Sequence, residues 1–152
     1  MQCGKSGNKK NTLSKTKDNH SILKIDLDSK LFSRFMTKFL TRYRKAKYAF
    51  DFKIQDIKVF ETKKGYHIEL YLDKRIFPYE VIFYQLFFCS DYMREILNLR
   101  RLRFRRTTID QWNILHEAKY NKSDKKFIWR KQCKILEQRI LKEMNIINDM
   151  ED

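Results

Sequence analysis

Glycine and proline are nearly missing: the chain has three glycines and one proline in 152 residues. Tight turns depend on glycine for positive φ and on proline for a preset φ, so an all-β chain with many such turns is excluded. Cysteine is as sparse. Cys3, Cys89 and Cys133 are odd in number, far apart and never in a C-x-x-C spacing. That excludes a disulfide framework and a thiolate metal site, and it fits a reducing, intracellular compartment. No apolar run approaches the roughly 18 residues that a membrane-spanning helix needs. Residues 1–20 lack the apolar middle of a secretory signal. A soluble, intracellular protein is expected, with no membrane partner.

Acidic residues are also in deficit. Nineteen Asp and Glu face 34 Lys and Arg, a formal net charge of +15. The simplest use of such a charge is attraction to phosphate backbones, so DNA or RNA is the expected partner. Apolar residues make up 42% of the chain, enough for a core, and the length suits one domain with tails.

Residues 1–19 are rich in Lys, Asn, Ser and Gly and read as a disordered basic arm. Their Gly4-Lys5-Ser6 lacks the first glycine and the strand of a P-loop. Residues 20–120 read as one domain, and 121–152 as a linker and a C-terminal helix. A strand is expected at 21–28, where Leu23, Ile25 and Leu27 alternate with Lys24, Asp26 and Asp28. Asp28 or Ser29 then caps a helix with a stripe of Phe32, Phe35, Phe39 and Tyr43, its opposite side carrying Arg34, Lys38 and Arg42. A strand at 52–62 turns at Lys63-Lys64-Gly65 into a hairpin partner containing His67. Pro78 opens a helical pattern to about Leu99, with a break at Cys89-Ser90-Asp91. Gln111–Lys119 reads as a last strand, and Phe127–Ile147 as an amphipathic helix that offers a protein-docking surface. The order β-α-β-β-α-β is that of a ferredoxin-like, or RRM-like, α+β fold with helices on one sheet face. In that topology the strands of Asp26 and His67 are central neighbours, and the opposite face is open.

Asp26 and Asp28 share one strand face, and paired carboxylates are hard ligands for Mg²⁺ or Mn²⁺. His67 lies on the facing strand, within reach of a phosphate or a metal. The plain alternative is that Asp28 caps the helix while Asp26 and Glu69 are solvated. His116 has uncertain facing. The densest binding feature is Arg100, Arg101, Arg103, Arg105 and Arg106, approached by Arg94, since the guanidinium fork suits phosphate. Its plain alternative is a solvated helix end.

Ile25-Asp26-Leu27-Asp28 and Gly65-Tyr66-His67, followed by a segment with an acidic residue, resemble the archaeo-eukaryotic primase and primase-polymerase superfamily. The resemblance covers 21–119, and Ser90-Asp91-Tyr92-Met93-Arg94-Glu95 followed by Trp112-Asn113-Ile114-Leu115 also resembles small proteins of archaeal viruses, phages and mobile elements. It implies an RRM-like palm, Asp26 and Asp28 as metal ligands, and His67 touching the phosphates of a nucleoside triphosphate. Asn98 stands where the third acidic motif is expected, with Asp91 as its stand-in. The implied function is replication or DNA processing in a host-cell cytoplasm, with possible metal-dependent nucleotidyl transfer. Three alternatives stand beside it. Lys64-Gly65-Tyr66 and Tyr71 resemble the RNP1 strand of RRM proteins, which implies a non-catalytic DNA- or RNA-binding module. His67-Ile68-Glu69 has one of the two histidines of rolling-circle initiators, with Tyr84 or Tyr92 as the nucleophile. The third alternative is a structural assembly protein docked through its C-terminal helix.

Overall fold

The computed structural model describes residues 21–104, 112–113, 118–121 and 126–150. The basic arm at 1–19, His116, Arg105 and Arg106 lie outside them. The alternating residues of β1 (Ile22–Leu27) bury Leu23 and Ile25. Helix α1 (Phe32–Ala46) lays Phe32, Phe35, Phe39 and Tyr43 onto the core, because i, i+3 and i+4 positions share one helix face. Their rings follow one another with centroids 5.6, 5.7 and 6.2 Å apart. Strand β2 (Ile54–Glu61) turns into β3 (Tyr66–Leu72), which lies between β1 and β2 and is antiparallel to both. β1 and β2 therefore run parallel, joined across β3 by α1.

Gly65 sits in the turn before β3 for a steric reason. A Cβ there would come within 1.8 Å of the Leu27 carbonyl oxygen and 2.7 Å of the Ser29 nitrogen. The end of β1 thus passes directly over the hairpin turn.

Helix α2 (Pro78–Phe87) has Pro78 in its first turn and ends where the sequence breaks. Ser90 N–H donates to the Gln85 carbonyl at 2.9 Å and Cys89 N–H to that of Leu86 at 3.0 Å. Cys89 has φ of 70°, completing a left-handed helix stop of the Schellman type. Helix α3 (Tyr92–Phe104) starts three residues after Cys89. Strands β4 (Ala118–Asn121) and β5 (Lys126–Trp129) pair only with each other among the described residues. β6 (Lys131–Gln132) joins β2, and α4 (Lys134–Asp149) follows, burying Ile140 and Met144 in the core.

The described residues are thus α+β with a four-stranded antiparallel sheet and four helices, and the strand order is β1-β3-β2-β6. The expected ferredoxin-like order, which needs the last strand beside β1, is not confirmed among the described residues. The β1 edge is already occupied. Lys24 N–H donates to Gln85 Oε1 (2.8 Å) and Asp26 N–H to Ser90 Oγ (3.0 Å). The Lys24 carbonyl accepts from Arg94 Nη1 (2.5 Å), and the Asp26 carbonyl from Asp91 N–H (2.7 Å). These four backbone groups have partners from α2, from the turn between the helices and from α3, so a strand has nothing left to pair with there.

The C-terminal helix also begins later than expected. Phe127, Ile128 and Trp129 belong to β5, as suits an aromatic and β-branched run. Of the expected strand Gln111–Lys119, only Ala118 and Lys119 fall in a described strand, and that strand is outside the main sheet.

Gly65→Ala is expected to lower stability by about 3 kcal/mol, at the upper end for overpacking, because backbone rather than a movable side chain blocks the new methyl. Urea denaturation at constant m-value is the measurement, and a loss below about 0.5 kcal/mol would contradict the close approach.

Candidate functional site

The register pairs Asp26 with His67 and then His67 with Phe60 across three strands. His67 Nε2 lies 3.6 Å from Asp26 Oδ1. The adjacency expected from the sequence is therefore present. Asp28 is not part of it. β1 ends at Leu27, and Asp28 is exposed beyond the strand. Nor does it cap α1, whose approach is held by Ser29 Oγ accepting from Leu31 N–H at 3.1 Å.

The sheet face carrying His67 is closed, contrary to the expectation of an open one. His67 is 9% and Glu69 8% exposed. Glu69, expected to be solvated, is held on both carboxylate oxygens. Tyr71 donates to Oε1 at 2.8 Å and Arg130 Nη2 to Oε2 at 3.1 Å. The Arg130 guanidinium also stacks over the Phe60 ring at 3.8 Å. Burial, the Glu69 charge and its hydrogen bond all raise the Tyr71 phenol pKa well above its ordinary value. This tyrosine is a donor that stays protonated.

A divalent metal needs several oxygen ligands converging on one point. Among the described residues no group of three or more His, Cys, Asp or Glu is so arranged. Asp26 faces a histidine while Asp28 points its charge into solvent beyond the strand end. These residues do not make up a site held by Asp26 and Asp28 together.

The larger polar assembly lies beside β1, and its centre, Glu95, was not singled out by sequence reasoning. Glu95 is 1% exposed and accepts from Gln85 Nε2 (2.5 Å), Ser90 Oγ (2.6 Å), Arg94 Nη1 (2.6 Å) and Asn98 Nδ2 (3.1 Å). Asn113 Oδ1 receives Arg94 Nη2 at 3.0 Å and Asn98 Nδ2 at 3.2 Å, while its Nδ2 donates to Gln85 Oε1 at 2.8 Å. Arg101 Nη1 donates to Asn98 Oδ1 at 2.9 Å. A signal was present: Glu95, Asn98 and Arg101 recur every three residues between apolar neighbours, which puts them on one helix face.

This placement divides the arginines. Arg94 is buried, and desolvation lowers its pKa while Glu95 and Asp26 act against that fall. Its guanidinium is directed into the network and onto the β1 edge. Arg101 is half-buried against Asn98, and Arg100 and Arg103 are exposed. Asp91 caps α3, its Oδ2 accepting from Arg94 N–H at 3.0 Å.

Among the described residues, a set of exposed cations lies on α1. Arg34, Lys38, Arg42, Arg44 and Lys45 are all exposed, and the helix contains no acidic residue. The sequence had marked Arg34, Lys38 and Arg42 as a polar helix side without making them a site. No family model matches the chain, and neither a curated protein nor a solved structure matches it significantly.

Removing one partner of a buried ion pair leaves the other charge uncompensated, so Glu95→Ala is expected to cost about 3–5 kcal/mol. Asp28→Asn, at an exposed position without such partners, is expected to stay within about 0.5 kcal/mol of the parent. Parallel urea titrations separate the two, and equal effects would contradict this division of the acids.

Proposed function

We propose that the protein is a nucleic-acid-binding module that grips phosphate through its basic outer surface. The observation that carries this reading is the face of α1. Five exposed cations stand on that helix without an acid, one of them, Arg42, donating to the Phe87 carbonyl at 2.6 Å. Arg34, Lys38 and Arg42 are spaced i, i+4, and like charges at that spacing destabilise a helix by roughly 0.2–0.5 kcal/mol per pair. The helix persists because its other face is anchored by Phe32, Phe35 and Phe39 in the core. A phosphate backbone relieves the repulsion. At about 1.5 Å of rise per residue, Arg34 to Lys45 spans about 16 Å, or four to five nucleotides at about 3.4 Å each along one strand.

Arg100 and Arg103 add exposed positive charge on α3, and the sequence continues it into Arg105 and Arg106. The parallel β1 and β2 with β3 between them, crossed over by α1, form the split unit with which a ferredoxin-like palm begins, and this supports kinship with primase-like or RRM-like palms acting in replication or DNA processing. The proposal does not extend to nucleotidyl transfer, because a single carboxylate, Asp26, stands next to His67. Gly65, the glycine of the Gly-Tyr-His strand, has a packing reason of its own and is not evidence for a nucleotide.

Binding to a single-stranded oligonucleotide is expected to weaken steeply with salt, with a slope of log K against log salt of about −0.7 per phosphate contacted. Arg34→Ala with Lys38→Ala is expected to reduce that slope by about 1.4 and to weaken all base sequences alike. Fluorescence anisotropy over a salt series reads both quantities. An unchanged slope would leave α1 as a solvated face and remove the reading.

A further inference from the structure

Helix α3 is oriented against the hydrophobic effect. It buries Arg94, Glu95 and Asn98 and turns Met93, Ile96 and Leu97 outward at 59, 38 and 46% exposure. Its neighbour α2 exposes Tyr79, Phe83 and Leu86, an i, i+4, i+7 stripe. Between residues 77 and 104, ten large apolar side chains are more than a third exposed. With an aromatic side chain burying about 150–250 Å², their open surface is on the order of 1,000 Å². The largest patch on an ordinary monomer is about 300–600 Å².

We infer that this face is an interface between two copies of the chain, formed by α3 packing antiparallel on α3 of a partner about a two-fold axis near Ile96 and Leu97. Three features select a second copy. A standard interface takes about 800 Å² from each side, which the open apolar surface of α2 and α3 supplies. The middle of the exposed α3 face is uncharged, with Met93, Ile96 and Leu97 clustered there. Asp91, just before α3, is turned to β1 and caps the helix, so the charges of the exposed face are Arg100 and Arg103 in its last turns. A phosphate backbone contacts that cationic end and leaves the apolar middle in water. A two-fold axis covers the middle, sets the arginines of the two copies at opposite ends of the interface, and opposes the two helix dipoles favourably. Arg100 and Arg103 then lie at the rim, where water still reaches them. This inference does not rest on nucleic-acid binding.

The test is sedimentation equilibrium of the full chain without nucleic acid, at moderately high salt, over a concentration series reaching the high micromolar range. A reversible dimer is expected. Ile96→Glu with Leu97→Glu buries charge at the axis and is expected to weaken the dimer by roughly thirtyfold or more. Circular dichroism is expected to be unchanged, because both residues point away from the core. Phe83→Ser, on the other helix, is expected to shift the equilibrium in the same direction. A Leu97→Cys variant is expected to form a disulfide-linked dimer under mild oxidation well above the background of the parent cysteines. A monomer at every concentration overturns the inference. So does a dimer indifferent to both substitution sets, or a dimer that Leu97→Cys does not cross-link.

Discussion

The backbone groups of β1 that face away from β3 are the constraint on which the remaining architecture turns. Lys24 and Asp26 present two N–H and two C=O groups along that edge, and each unpaired buried group costs about 1–3 kcal/mol. A further strand is the usual solution. Here the solution is a helical one: Gln85 from α2, Ser90 and Asp91 from the helix stop, and Arg94 from α3. The left-handed Cys89 is what allows it, because the Schellman stop turns the chain so that Ser90 and Asp91 reach Asp26 within four residues of the end of α2. The last sheet strand is then found on the opposite side, next to β2.

Once side chains take the part of a strand, they need partners of their own. Glu95 meets Gln85, Ser90 and Arg94 together, and Asn98 and Asn113 fill the remaining hydrogen-bonding positions. A network of this kind is stabilising only when its members are satisfied together, so it fixes the rotation of α3 about its axis. That rotation sends the apolar residues of α3 outward. The exposed Met93, Ile96 and Leu97 are thus a consequence of how β1 is capped, and a second copy of the chain is the means of covering them.

The other polar row of the sheet is organised by different forces. Asp26, His67 and Phe60 are brought into line by strand register alone, while Glu69 is gripped by Tyr71 and by Arg130 arriving from the far end of the chain. Arg130 also stacks on Phe60, and His67 and Glu69 on this face are buried where a nucleotide-binding palm would leave them open. Among the described residues, α1 carries five exposed cations on the outside of the fold.

The sequence by itself determined the local elements. Strict alternation placed β1 and β3, the phenylalanine stripe placed α1, Pro78 opened α2, and Cys89-Ser90-Asp91 ended it, because each of these signals acts within one turn or one strand. The β-α-β-β-α-β order also led to the expectation that Asp26 and His67 are neighbours, and the observed pairing of β1 with β3 places them so. Only the tertiary structure decided the rest. Whether an arginine is a surface contact or a buried partner depends on which face of α3 turns inward, and Arg94 and Arg100 look alike in sequence. Whether Glu69 is solvated depends on Arg130, 61 residues away. The position of the final strand depended on the β1 edge being occupied by side chains from another part of the chain. Periodicity within a segment records which residues share a face, but what that face meets is set by contacts between segments.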